Sequence, residues 1–548
     1  MKYLASVLFL TLLAATTVGQ ERASSGQPKP ATLMSGLGDL HHPVSTSNPQ
    51  AQQFFDQGLR FIYAFNHDEA ARSFQRASEL DPKLAIAYWG IAEAVGPNYN
   101  DPASDDRFKQ AHEAIQKAVD MSAGASPSER DYIQALAKRF PPEPNADRRK
   151  SAEEYRDAMR EVVKKYPDDL DAATLFAESG MDLHPWGLWH HDGTPEAGTE
   201  EVVSTLESVI RRDPNHMGAV HYYIHAVEAS PNPERALAGA NKLASLAPAA
   251  GHIVHMPAHI YIRTGDYESA VKTNEEAAAV DRAYIKASGV QGIYPMMYYS
   301  HNLHFIATCS AMKGNYPEAK KTADMLAAHV GPHVKDMPPI EGFMTIPMAV
   351  DVRFHKWNQI LAQPQPDPAM KTTTTFWHFA RGMALAGTGK VSEAEGEYKA
   401  VAQAEQNTSP DVVFTMPVNN KAKDVLKIAE NILGAKIALA KKDSNNAISM
   451  LREAVSVQDS LKYAEPPDWF FPVRESLGAV LLMNGDTAGA EKVFREDLDR
   501  NPRNPRSLFG LQQALKSEGR TYDAEFVGKQ FKTSWKDAGT QLKVEDLV

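Results

Sequence analysis

Histidines recur in this chain at the spacing that places imidazoles on one face of a helix: His221 and His225, then His252, His255 and His259, then His301 and His304. Side chains three and four residues apart share a helical face, so two histidines at i and i+4 can reach one ion. Neutral imidazole suits copper, zinc, iron or nickel. Glu228 follows His225 within a turn, Glu178 and Asp182 lie on the preceding element, and Arg263 follows His259 by one turn. The pattern predicts a transition-metal site (Cu, Zn or Fe) with these four residues in support. Seven histidines exceed one tetrahedral site, so two or more ions are conceivable. Met337, Met344 and Met348 tilt the expectation slightly towards copper, although methionines serve equally well as packing residues. The alternative is a metal-free scaffold whose groove binds a protein, peptide or anion, with protonation suppressed by crowding of like charges.

Such a face needs helices stacked at a fixed spacing, and the chain carries an internal repeat. From Ala51 onwards, Phe54, Gly58, Phe61, Ala70, Phe74, Ala77 and Pro82 occupy the large, small, large, Ala, large, Ala and Pro offsets of a 34-residue helix-turn-helix unit. Pro214 and Pro248 set the register of copies beginning at Met217 and Gly251, and a third begins near Ser300 with Ala307, Gly314 and Ala319. Later copies surround Phe376, Ile428, Phe471 and Pro505, and weaker ones fill 85–214. Each helix pair bears apolar stripes that only a neighbouring pair can cover.

On these residues the chain resembles the tetratricopeptide-repeat superfamily over most of its length, in an exported, bacterial-type form. The resemblance implies an all-α, right-handed superhelical solenoid of about ten repeats with loop insertions. It also implies that offsets 2, 5 and 9 of each first helix line the concave groove. In the three central copies those offsets are Gly218, His221, His225; His252, His255, His259; and His301, His304, Thr308, so seven of nine are histidine. With 19 histidines in 548 residues, chance would place roughly a third of one histidine on nine such sites of a repeat array.

The expected division is a signal peptide (1–19), a flexible N-terminal segment (20–50), an N-terminal array with the histidine groove (51–327), a Pro/Met-rich insertion (328–375), a C-terminal array (376–535) and a tail (536–548). Two shorter interruptions fall at 96–106 and at 183–199; the second contains Trp186, Trp189, His190 and His191, placed evenly between a lid and a joint filler. Insertions of this kind are commonly functional loops or linkers. The leader predicts export, to a periplasmic or secreted location, and no later apolar run approaches the ~20 residues of a membrane span. A net charge of −11 without a basic cluster argues against nucleic acid. The single cysteine, Cys309, excludes an intrachain disulfide and reads as a small buried hydrophobe. No phosphate-binding loop, haem-attachment motif, His-Glu-x-x-His or Gly-x-Ser-x-Gly element occurs, so no catalytic residue or organic cofactor is assigned.

Overall fold

The computed structural model describes residues 31–142 and 146–548. The expected signal peptide and the first part of the N-terminal segment lie outside the described residues. The rest is an all-α stack of antiparallel helix pairs, and among the described residues the only extended pairings are isolated bridges. Pro49–Tyr63 pairs with His67–Leu80, Met217–Val227 with Leu237–Leu246, Ser300–Met312 with Tyr316–Val330, and Val473–Met483 with Thr487–Arg500. Among the described residues no helix is long and apolar enough to cross a membrane.

The repeat residues do what their sizes require. Phe74 is fully buried between Gly58 and Gly90, where an added Cβ would approach its ring to within 2.6 and 2.4 Å. Phe494 is seated in the same way between Gly478 and Gly510. These glycines set the close approach of successive pairs. Cys309 is buried among Ala258, Tyr267, Phe305 and Met312.

The superhelix closes on itself. Helix Pro49–Tyr63 meets helix Met217–Val227 directly, and Gly218 is small enough for the Tyr63 ring to lie against its backbone, 2.5 Å from where a Cβ would stand. At the far end the C-terminal pairs return to the middle: Tyr267 Oη donates to the Pro502 carbonyl at 3.1 Å, and Arg263 Nη1 donates to the Arg500 carbonyl at 3.2 Å. The concave groove is therefore an interior.

Residues 31–48 are also tied down, through Gln57 Nε2 to the Thr32 carbonyl (3.0 Å), Arg60 Nε to the Leu40 carbonyl (2.9 Å) and His42 Nδ1 to Asp171 (2.8 Å). The 328–375 stretch carries a short helix pair, Ile346–Arg353 and Trp357–Ala362, packed between Tyr316–Val330 and Lys371–Gly387. Met344 and Met348 pack in that apolar region, where a thioether fills space as readily as a branched side chain.

Candidate metal centre

Three helical segments present the histidines. His221 and His225 project from Met217–Val227; His252 and His255 from Gly251–His255, with His259 following on Pro257–Arg263; His301 from Ser300–Met312. Pro257 sits between His255 and His259 and breaks the helix into two pieces, because proline supplies no amide hydrogen. A π-helical turn, Tyr294–Tyr299, leads into the third segment. Such turns shift the register of a helix locally, and this one brings Tyr298 over His252, ring centres 4.9 Å apart.

Six imidazoles gather into two adjoining trios, His221/His225/His252 and His255/His259/His301, each with one ligand nitrogen per residue inside 4.8 Å of the others. Within them, Nε2 of His221 and His252 are 3.2 Å apart, Nε2 of His255 and His259 are 2.8 Å apart, and Nε2 of His259 and His301 are 3.4 Å apart. Ligand nitrogens at ~2.0–2.1 Å around a tetrahedral ion lie about 3.3 Å from each other. The trios abut, with the His225 and His259 rings 5.4 Å apart. Five of the six residues are 0–4% exposed, His301 somewhat more.

The hydrogen bonds on the other side of the rings fix the tautomers. His221 Nδ1 lies 2.6 Å from the Tyr63 carbonyl, which can only accept, so Nδ1 carries the proton. His225 Nδ1 donates to Glu228 Oε1 at 2.7 Å, and His259 Nδ1 donates to Glu228 Oε2. His255 Nδ1 faces Asn274 Oδ1 at 2.7 Å; the Asn274 amide is oriented by its own Nδ2 donating to the Ala270 carbonyl at 2.8 Å. In their neutral form these four rings therefore expose bare Nε2 lone pairs towards the interior of the trios. His225 Nε2 is buried without a partner.

Protons do not relieve the crowding. Burial, then the neighbouring imidazoles, holds His221, His252 and His301 well below the usual histidine range, and His255 likewise by burial and His259. Burial also raises the Glu228 carboxyl, but the His259 and His225 imidazoles that face it outweigh burial and hold it down to about 2. The interior thus contains converging lone pairs and an ionised carboxylate. His225, Glu228 and His259 also lie within ligating distance of each other. There the carboxylate accepts the two Nδ1 protons, as an outer partner that orients both rings.

Two aromatic rings floor the trios. Phe65, at φ 52° in the turn after Pro49–Tyr63, lies 4.6 Å from His221 and 5.4 Å from His252. Phe305 lies 4.9, 5.1 and 5.0 Å from His255, His259 and His301. Above the cluster is a chamber of about 200 Å³ onto which His225, His252, His259 and His301 open. All three interruptions of the repeat reach it: Asn100 and Asp101 from 96–106, Trp186 from 183–199, and Met337, Ile340 and Phe343 from 328–375. Trp189 anchors the second of these by donating to the Ala226 carbonyl at 2.8 Å.

His304 belongs to neither trio; its ring faces Phe343 at 5.6 Å, its Nε2 has no partner, and burial pushes it down to about 3. Glu178 and Asp182 stand apart, in a buried group where Arg139 pairs with Asp182 at 2.6 Å and Glu178 is pushed up by burial and by Asp182. Arg263 supports indirectly, donating to the Glu228 carbonyl at 2.9 Å and lying 3.8 Å from Glu465. Sequence reasoning missed Glu465, whose carboxylate is 3.6 Å from His259 Nδ1, as well as Asn274 and the Tyr63 carbonyl. These come from remote repeats or from second helices, which the groove offsets do not sample.

No protein-family model matches the chain. An uncharacterized protein of Aquifex aeolicus is 43% identical over 63 residues, 11% of this chain. The chain spans 8% of the length of that relative. Among solved structures, a human IFIT1 dimer with m7Gppp-AAAA is similar at 12% identity over 91% of this chain and 92% of that one, TM-score 0.36. A tetratricopeptide repeat protein from Parabacteroides merdae is similar at 12% identity over 61% of this chain and 93% of that one, TM-score 0.30. Likenesses this loose say nothing about function.

Proposed function

We propose that the two histidine trios form a dinuclear transition-metal centre in an exported protein, one ion held by His221, His225 and His252 and the other by His255, His259 and His301. The observation that carries this reading is the convergence of six imidazoles with Nε2 atoms 2.8–3.4 Å apart, among them His255 and His259, whose Nδ1 protons are committed to Asn274 and Glu228 and whose Nε2 lone pairs face each other at 2.8 Å. Bare lone pairs at that separation repel each other, and a cation placed among them turns the repulsion into ligation. Six imidazoles, with no thiolate among them and with Glu228 bonded to the Nδ1 side of two of the rings, suit copper or zinc better than magnesium or calcium, which take oxygen ligands. Glu228 supplies the negative charge that a bound cation would offset, and it orients one ligand of each trio.

Three protein ligands per ion leave a coordination position for water or a substrate, and the chamber lies on that side. Export rests on the leader-like 1–19. The burial of these histidines favours the metal reading over the alternative, a metal-free protein- or peptide-binding scaffold, whose partner would need exposed groove residues.

Elemental analysis of tag-free protein, purified without chelator and beside a His221→Ala/His255→Ala/His259→Ala variant, tests the proposal. Two copper or zinc ions per parent chain and none in the variant are expected. A parent that takes up no metal even after reconstitution with either ion would overturn it.

A further inference from the structure

We infer that the chamber above the trios is a substrate pocket for a small, neutral, single-ring phenol whose hydroxyl points at the histidines. This rests on the metal reading and goes beyond it by assigning the class of molecule that the centre takes.

Size comes first. About 200 Å³ falls below the ~300–1,000 Å³ of pockets for drug-sized ligands, so one ring with a short substituent is the fitting scale. The walls decide the rest. Trp186, Tyr298 and Phe343 supply aromatic faces, and Met297, Met337 and Met416 supply thioethers. Rings and polarizable sulfur favour an aromatic guest. The polar atoms on the wall are already engaged. Asn100 Oδ1 accepts from Trp186 Nε1 at 3.1 Å, and its Nδ2 reaches Tyr298 Oη at 3.4 Å. The Asp101 carboxylate is paired with Arg107. A guest charged at the end away from the floor would find no counter-ion on the wall, and an unpaired buried charge is costly. A neutral one needs a single polar anchor, which the floor of imidazoles and their ions provides. Ile293, 46% exposed despite its apolar side chain, lies on the chamber lining and marks its mouth.

The placement of the walls argues in the same direction. The repeat by itself builds the floor, whereas the walls come from 96–106, 183–199, the π-helical turn, 328–375 and the loop that contains Met416. Five departures from the repeat converge on one chamber. A stack that needed only to hold itself together would have no use for that convergence.

The test is isothermal titration of the metal-reconstituted full chain with phenol, 4-hydroxybenzoate and azide, with metal content measured on the same samples. Phenol binding at one per chain is expected, with 4-hydroxybenzoate, charged at the end away from its hydroxyl, at least tenfold weaker. Met337→Trp, and independently Met416→Trp, should keep both ions and azide binding while weakening phenol at least tenfold by filling the chamber. Two ions per chain with azide bound but phenol not bound would overturn this inference and leave the metal centre standing. Phenol binding unchanged in both tryptophan variants would overturn it as well. Failure of the parent to hold metal would overturn both readings.

Discussion

Two buried polar clusters, one in each half of the molecule, look alike by composition and differ in their hydrogen-bond accounts. In the C-terminal half, Glu475 accepts from Arg353 Nη1 and Nη2 at 3.0 and 3.1 Å and from Asn504 Nδ2 at 2.9 Å, and Arg506 Nε approaches it to 2.8 Å. Asn504 and Ser507 then donate to Asp497. There the carboxylate of Glu475 is paired with two guanidinium groups, whose remaining donors reach the Ala311, Arg353 and Asp546 carbonyls, and the cluster joins the inserted helix Ile346–Arg353 to the later repeats. In the N-terminal half the donors point outward, to Tyr63, Glu228 and Asn274, and the acceptors point at each other. A cluster of paired opposite charges holds the fold together, whereas one whose ring nitrogens face each other is the candidate site.

The contrast can be broken or sharpened by experiment. The largest effect belongs to the structural cluster: Glu475→Ala should destabilise the fold by about 3–5 kcal/mol in denaturant titration, because it strands two buried guanidinium groups. The fraction that stays folded should keep its metal. Equal loss of metal and stability would dissolve the distinction. Next comes Glu228→Ala, which removes the shared outer partner of both trios and should weaken metal binding 10–100-fold, read by chelator competition. Its loss should touch both ions, where His221→Ala should touch one.

Acid separates the clusters in a third way. Burial holds His221, His252, His255 and His301 well below their ordinary range, so the unfolded chain takes up protons that the folded chain refuses. Their contribution is therefore whole above pH ~6.5 and lost progressively as pH falls below it. Thermal melts of metal-free protein should show this decline between roughly pH 6.5 and 5, and His255→Ala/His301→Ala should flatten it. A pH-independent melt over that window would refute the assignment of neutral, crowded imidazoles. The smallest effect is expected at His304→Leu: metal content unchanged, and stability equal or raised by up to ~1 kcal/mol, since a buried nitrogen without a partner is removed.

Much of this was legible in the residues. The Gly58/Phe74 and Gly478/Phe494 contacts follow from the offsets at which small and large residues alternate, and local periodicity is enough to place them. Six of the seven groove histidines fall in the trios, because i, i+3 and i+4 spacing on neighbouring first helices already determines a shared face. His304 satisfies the same spacing and still turns towards Phe343, since the third segment enters through a π-helical turn whose rotation no offset table records. Glu178 and Asp182, expected to support the histidines from the first helix of the preceding repeat, instead belong to the Arg139 group. Glu465, more than two hundred residues from His259 in the chain, gave no sequence signal at all.

The sequence by itself determined the helix-pair repeat, the helical faces that carry the histidines and the positions where the repeat is interrupted. All of these depend on contacts within one or two repeats, and residue size and spacing are sufficient to specify them. Only the tertiary structure decided that the groove is closed, that Tyr63, Glu228 and Asn274 take the Nδ1 protons, and that the interruptions meet over one chamber. Those outcomes depend on how far the stack curls, a sum of small rotations at every joint, and that sum brings together side chains that no local pattern connects.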